Sequence, residues 1–205
     1  MSCTVNIENA AKNLTRRGFE VHFFETAGEA ADYLVSSLHG RTIGIGGSST
    51  VAALGIEEAL KKDNELYWHW NYTGDEMQRV LKLAYNAEVY MMSANGIAET
   101  GEIVNIDGRG NRLAGSLFGH EKLYIVVGVN KFAATLEDAI YRARNVAAPK
   151  NAKRLERKTP CAVNGDRCYD CQSPDRICNA LNIIWNKPGG IGSAEVIIIN
   201  EELGY

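Results

Sequence analysis

Four of the five cysteines fall in one short stretch, with the spacing C-x6-C-x2-C-x6-C from Cys161 to Cys178. Four thiolates suffice for a tetrahedral zinc ion or an iron–sulfur cluster. Cys168 and Cys171 form the C-x2-C pair that usually chelates, and Cys161 and Cys178 flank it symmetrically. The spacing matches neither the common double C-x2-C zinc layout nor the ferredoxin orders, so it points to metal without choosing between zinc and iron–sulfur. Disulfides pairing Cys161 with Cys178 or Cys168 with Cys171, a redox pair, and inert thiols are the alternatives. Gly165 gives the loop freedom to wrap an ion, and Lys158, Arg167 and Arg176 offset thiolate charge. Cys3 stands apart from the cluster and reads as incidental.

A second group sits in "TIGIGGSSTVAALG", a glycine-rich turn between an apolar run and a helical pattern. Such a turn lets the backbone approach an anion, and the N–H groups that open the helix point at it. Gly46, Gly47, Ser48, Ser49 and Thr50 are therefore candidate binders of a phosphate or carboxylate. Neither the P-loop nor the dinucleotide fingerprint is met, and a serine-capped turn is the plain alternative. In "NGIAETGEIVNIDGRGNR", Asn95, Glu99, Thr100 and Asn105 follow a buried strand, where ligands of parallel sheets bind. Glu99 is the carboxylate best placed for acid–base work. Lys131 directly follows "YIVVGV" and can reach an anion in the same cleft. Ser173 and Arg176 lie inside the cysteine stretch, and Arg176 is expected to turn toward the anion as a bidentate partner. The four histidines lack metal-ligand spacing, and Trp68, Trp70 and Tyr72 read as core or interface.

The elements that must position these groups alternate in type. Val5–Arg17 has helical spacing and stops at Gly18; "FEVHFFE" alternates as a strand. Thr26 and Glu29 form a capping box for a helix from Ala27 to about Leu38. Short strands follow at "RTIGIGG", "ELYWHWN" and "AEVYMMSA", with helices at "SSTVAALGIEEALKK" and "GDEMQRVLKLAYN". A glycine-punctuated hairpin comes next. "KLYIVVGV" and "AEVIIINEELGY" are almost unbroken apolar runs, as expected of strands covered on both faces. A helix from Leu136 to about Ala148 is expected to close at Pro149, and the basic charges of Arg142, Arg144, Lys150, Lys153 and Arg154 read as a solvated face. This alternation predicts an α/β fold, a mostly parallel sheet with helices on both faces. The polar, basic "PKNAKRLERKTP" sets off a cysteine-rich insert at about 158–180 within a single domain spanning 1–205.

The totals narrow the function classes. A net charge of −3 with a pI near 5.9 argues against nucleic-acid binding. No apolar run approaches a membrane span, and the first twelve residues lack the apolar core of a signal peptide. A cytoplasmic location is expected, where disulfides seldom persist.

The segments "GIGGSST", "ANGIAETGEIVNIDGRGNR", "YIVVGVNK", "RNVAAPKNAKRL", "CQSPDRICN" and "EVIIINEELGY", taken in order, resemble the LUD-domain (lactate-utilisation type) family, in its short single-domain branch that carries the cysteine segment. The resemblance implies a fold similar to glucosamine-6-phosphate deaminase, ribose-5-phosphate isomerase and the CoA-transferases. In those sugar-phosphate enzymes the equivalent turn holds a phosphate, which would place Gly46 to Thr50 at the anion, Glu99 near the acidic catalytic loop and Lys131 close to the cleft. The isomerase's multi-acid loop is not reproduced here. Some members serve in the oxidation of L-lactate to pyruvate beside iron–sulfur partners. Three roles follow as expectations: an enzyme or enzyme subunit for a hydroxy acid or sugar phosphate, a metal-bearing electron-transfer or assembly subunit, and a ligand-sensing regulator without turnover. Related folds often associate, so a homo-oligomer is also expected.

Overall fold

The computed structural model describes residues 5–205. Cys3 lies outside the described residues. Six strands form a parallel sheet: β1 (Glu20–Phe24), β2 (Thr42–Ile45), β3 (Glu65–Trp68), β4 (Val89–Met92), β7 (Lys122–Gly128) and β10 (Ser193–Ile199), in the order β1-β10-β7-β4-β2-β3. A smaller sheet holds β5 (Gly96–Ala98), β6 (Ile103–Asp107), β8 (Phe132–Ala133) and β9 (Ala180–Ile184), in the order β8-β5-β6-β9.

The apolar runs take the central places. In β7 and β10, Ile125 pairs with Val196 and Val126 with Ile197. Successive side chains on a strand point to opposite faces. Leu123, Ile125, Val127, Val196 and Ile198 therefore join one core cluster, and Tyr124, Val126, Ile197 and Ile199 join the other. Helix α1 (Ile7–Arg16) covers the first face with Ala10 and Leu14, and α5 (Gly74–Tyr85) adds Ala84. The second face is covered by α2 (Ala27–Ser36), α3 (Ser49–Ala53) and α4 (Glu57–Leu60) through Ala30, Leu34, Val51 and Leu60. The capping box of Thr26 and Glu29 is present, and Gly18 ends the first helical segment at φ +87°.

Four local outcomes differ from the sequence reading. The helix expected over "SSTVAALGIEEALKK" breaks at Gly55, which takes φ +64°, into α3 and α4. Pro149 does not close its helix. α7 (Leu136–Arg142) passes through a π-helical turn, Ala143–Ala147, in which the Ala148 N–H reaches back to the Ala143 carbonyl, and continues as α8 (Ala148–Arg154). The wider turn leaves Pro149 in the opening turn of α8, where a missing N–H costs nothing. A short helix α6 (Asn111–Gly115) follows β6. Strand β9 comes straight after the cysteines and pairs antiparallel with β6, Asn105 opposite Asn182.

The smaller sheet packs against α7. A side chain at Gly96 would sit 2.6 Å from the Ala139 carbonyl oxygen, so only glycine lets the helix approach this closely. The cysteine insert forms α9 (Pro160–Asn164) and then a stretch without regular structure through Asn179, which donates its N–H to the Asp107 carbonyl at the end of β6. No helix among the described residues is long and apolar enough to cross a membrane.

Candidate anion-binding site

A cavity of about 720 Å³ opens at the carboxyl ends of β2, β4, β6 and the turn after β7. The glycine-serine turn forms one wall, built on two close approaches. A Cβ on Gly46 would meet Arg112 Cγ at 2.9 Å, and one on Gly47 would meet Trp70 Nε1 at 2.8 Å. Both glycines therefore let larger groups pack against the turn. Two of its three hydroxyls are committed to the fold. Ser48 Oγ accepts the Val51 N–H at 3.1 Å, and Thr50 Oγ1 donates to the Leu203 carbonyl at 3.3 Å while accepting from Ser93 Oγ at 3.2 Å. Ser49 lines the cavity with its hydroxyl unpaired among the described residues.

Asn95 ties β4 to the hairpin. Its Oδ1 accepts the Ile106 N–H at 2.8 Å and Arg112 Nη2 at 3.4 Å, which leaves its Nδ2 for a ligand. Arg112 also donates to the Ile106 carbonyl, and Asp107 accepts the Arg112 N–H at 2.9 Å. Lys131 arrives on the single turn Val129–Lys131 that follows β7. It is 2% exposed and has no hydrogen-bond or ion-pair partner among the described residues. Burial first, and then the charges of Arg142, Lys150 and Arg112, push its pKa down to about 7. Arg142 is half-buried beside it and donates to the carbonyls of Asn130 at 2.7 Å, Asn95 at 2.5 Å and Tyr205 at 3.2 Å, locking three segments together. Burial draws its pKa down to about 10.

The remaining wall is aromatic and basic. Trp70 stacks on Trp68 with centroids 5.6 Å apart, and the Arg154 guanidinium lies 4.7 Å over its ring. His69 lines the cavity with Nδ1 buried and unpartnered among the described residues. Burial and the nearby Arg109 hold its pKa below the usual imidazole value, so it is neutral at pH 7. Six basic side chains line the cavity (Arg109, Arg112, Lys131, Arg154, Arg157 and Arg176) against the carboxylates of Asp107 and Asp175. A chain of net charge −3 thus concentrates positive charge in this cavity.

Glu99 is not part of this site. Its carboxylate accepts the Asn6 N–H at 2.9 Å and Asn9 Nδ2 at 2.7 Å, and these donors hold its pKa below the usual carboxylate range. It clamps the start of α1. The hairpin explains why: Asn95 stands where β5 begins, and a strand advances roughly 3.3 Å per residue, so the tip at Glu99 is carried away from the cavity. Ser173 does not line the cavity either. Its Oγ accepts the Asp175 N–H at 3.2 Å in a local turn. Arg176 lines the cavity, but its guanidinium is spent on the cysteine loop, donating to the carbonyls of Cys171 at 2.7 Å and Cys178 at 3.1 Å. The expected bidentate carboxylate clamp is therefore replaced by a staple across the loop. Trp70, read from sequence as core or interface, and Arg154, read as part of a solvated face, are cavity walls, and Arg142 from that same face is half-buried.

All four cysteines of the insert are free thiols. Cys168 Sγ accepts the Asp170 N–H at 3.4 Å and lies 3.9 Å from Arg144 Nη2; Cys161 Sγ is 3.3 Å from Thr159 Oγ1. Burial pushes the Cys178 thiol up, opposed by Arg176. The donor set suits a thiolate-bound metal, but the loop as folded does not gather it. Among the described residues, the one group of three potential ligand atoms within 4.8 Å of one another is Glu20, His22 and Glu195. That group lies toward the amino ends of the strands, where Glu195 already pairs with Lys122 and accepts from the Tyr33 hydroxyl at 2.9 Å.

A family model described as the LUD domain matches residues 7–199. A crystal structure of a DUF162 family protein from Deinococcus radiodurans, at 1.70 Å resolution, superposes with a TM-score of 0.53 at 13% identity, over 94% of this chain and 95% of that one. At that identity the likeness speaks for the fold alone. No curated protein matches the chain.

Proposed function

The chain belongs to the LUD domain family, and from that premise we propose that it binds a small anionic metabolite, a hydroxy or keto carboxylate or a sugar phosphate, as an enzyme or enzyme subunit. The observation that carries this reading is the basic lining of the cavity around a buried, unpartnered Lys131. An ammonium buried without a counter-ion is costly, and an anion entering the cavity relieves that cost. Arg112, Arg154 and Arg157 supply fixed positive charge, the Ser49 hydroxyl and Asn95 Nδ2 supply neutral donors, and Trp70 supplies a flat apolar wall. Service in a lactate-oxidation system is the particular case in which lactate or pyruvate is the anion.

Isothermal titration of the purified protein with lactate, pyruvate, inorganic phosphate and ribose 5-phosphate tests the reading. At least one is expected to bind, and Arg154→Ala is expected to weaken it by roughly 5- to 20-fold, the scale of one charge-assisted contact. Absence of binding by all four at low ionic strength would defeat it.

The cysteine segment supports a second reading, a zinc or iron–sulfur site held by Cys161, Cys168, Cys171 and Cys178. In its favour, Cys168 and Cys171 both lie close enough to Cys178 to act on its charge, and Arg144 and Arg176 stand beside them. Binding would require the loop to tighten around the ion. Metal analysis of anaerobically purified protein decides it: near-stoichiometric zinc or iron establishes the site, and trace amounts alone remove it.

A further inference from the structure

Lys131 is placed unlike the other basic residues of the cavity. Arg112 and Arg176 are each tied to backbone carbonyls, Arg154 lies over Trp70, and Arg109 and Arg157 are exposed to solvent. The Lys131 amine is tied to nothing among the described residues, although it is buried and lines the cavity. Space is kept open beside it. A Cβ at Gly204 would come within 3.4 Å of Lys131 Nζ and 2.6 Å of Thr50 Oγ1, and Gly204 adopts φ +62°, where a side chain would be strained. The charges acting on the amine are those of Arg142, Lys150 and Arg112, all cationic. Cations so placed have two effects: they favour the uncharged amine, which is the nucleophilic form, and they attract an anionic group to its side.

We propose that Lys131 forms a Schiff base with a small carbonyl-bearing anion, whose carboxylate or phosphate is held by the neighbouring guanidiniums. The amine nitrogen attacks the carbonyl carbon as the C=O π pair moves to oxygen. A proton passes from nitrogen to that oxygen, giving a carbinolamine. The hydroxyl then leaves as water with one further proton, and the C=N bond forms. The net change is amine plus carbonyl to imine plus water, with no oxidant or reductant, and hydrolysis reverses it. Hydroxy acids bind the same cations but have no carbonyl to react. The inference rests on the anion-binding reading and names the ligand class and the bond.

The test is reductive trapping on the full chain. The protein is incubated with pyruvate or with ribose 5-phosphate in cyanoborohydride, with lactate as the control, and mapped by peptide mass spectrometry. One adduct at Lys131 is expected, formed at least about ten-fold faster than at exposed lysines such as Lys12 or Lys82, and absent with lactate and in Lys131→Arg. Labelling with pyruvate alone identifies a keto carboxylate, and labelling with the sugar phosphate alone identifies an aldose phosphate. The trapping rate should rise with pH between 6 and 8, as the free amine is populated. If pyruvate or ribose 5-phosphate binds in calorimetry yet Lys131 is labelled no faster than the exposed lysines, the Schiff base is wrong and anion binding stands. If only lactate or inorganic phosphate binds and neither carbonyl compound labels, the Schiff base alone falls; if none of the four anions binds and neither carbonyl compound labels, both readings fall together.

Discussion

Lys131→Met is expected to make the protein more stable at pH 6 by roughly 1–3 kcal/mol, a few degrees to about ten in the thermal midpoint for a chain of this size. The native amine titrates near 7, well below the ordinary lysine value, because burial and three cations disfavour its charged form. Below that pH both native and unfolded chains carry the proton, and the native state bears the full penalty of a buried charge. Between about 7 and the ordinary value of about 10.4 the unfolded chain holds a proton that the native chain has released, so wild-type stability rises with pH across that window. Methionine keeps the volume and removes the titration. The gap between variant and wild type should therefore be wide at pH 6 and small at pH 9, measured by thermal unfolding in buffers free of carboxylate and phosphate. Equal gaps at the two pH values would mean that the amine does not titrate in this range. The variant should also lose trapping at residue 131, so stability and site chemistry move in opposite directions.

Lys122→Met is expected to cost about 3 kcal/mol or more, the opposite sign for a substitution of the same kind. Lys122 opens β7 and pairs with Glu195 on β10, and the Glu195 side chain is 2% exposed. Breaking a buried pair by removing one partner leaves an uncompensated charge. The Tyr33 hydroxyl still donates to Glu195, and His22 Nε2 stands 3.7 Å from it, so the loss should fall at the lower end of the usual range. The double variant Lys122→Met with Glu195→Gln should recover most of the stability, because the stranded charge is gone. Denaturant unfolding of the two single variants and the double variant closes the cycle. Additive losses would show that the two residues act independently. Anion binding should persist in all three variants, since the pair sits at the amino ends of the strands and the cavity at their carboxyl ends.

The contrast between these two lysines shows where sequence reading succeeds. Lys131 is legible because it closely follows the apolar run "KLYIVVGV" of β7, a strand covered on both faces, whereas the pairing of Lys122 with Glu195, far along the chain, is not. Local signals carried the main sheet: the alternation of strands and helices, the capping box at Thr26 and Glu29, and the glycine-serine turn. Of the second sheet only the hairpin of β5 and β6 is legible: β8 has two residues, too few to display a period, and β9 directly follows the cysteines with no turn signal to set it off. Arg112 was passed over as part of a glycine-punctuated turn. Its signal was present, a basic residue just past a strand's carboxyl end, but its reach to Ile106 and Asn95 depends on α6, which five residues do not announce. Glu99 misled for the converse reason. Its neighbours in sequence suggested a cleft, while its partners Asn6 and Asn9 stand more than eighty residues away in the chain.

The π-helical turn at Ala143–Ala147 has a rotational consequence. Each residue of an α-helix advances the azimuth by about 100°, and the one extra residue in a π turn offsets everything beyond it by about that angle. Ahead of the turn, Arg142 points between the two sheets to gather backbone carbonyls. Beyond it, Asn151 and Arg154 face the cavity, with Arg154 over Trp70, while Arg144 within the turn reaches the cysteine loop. The irregular turn acts as a phase correction, letting one continuous helical segment serve the core, the thiol loop and the anion cavity on three different bearings.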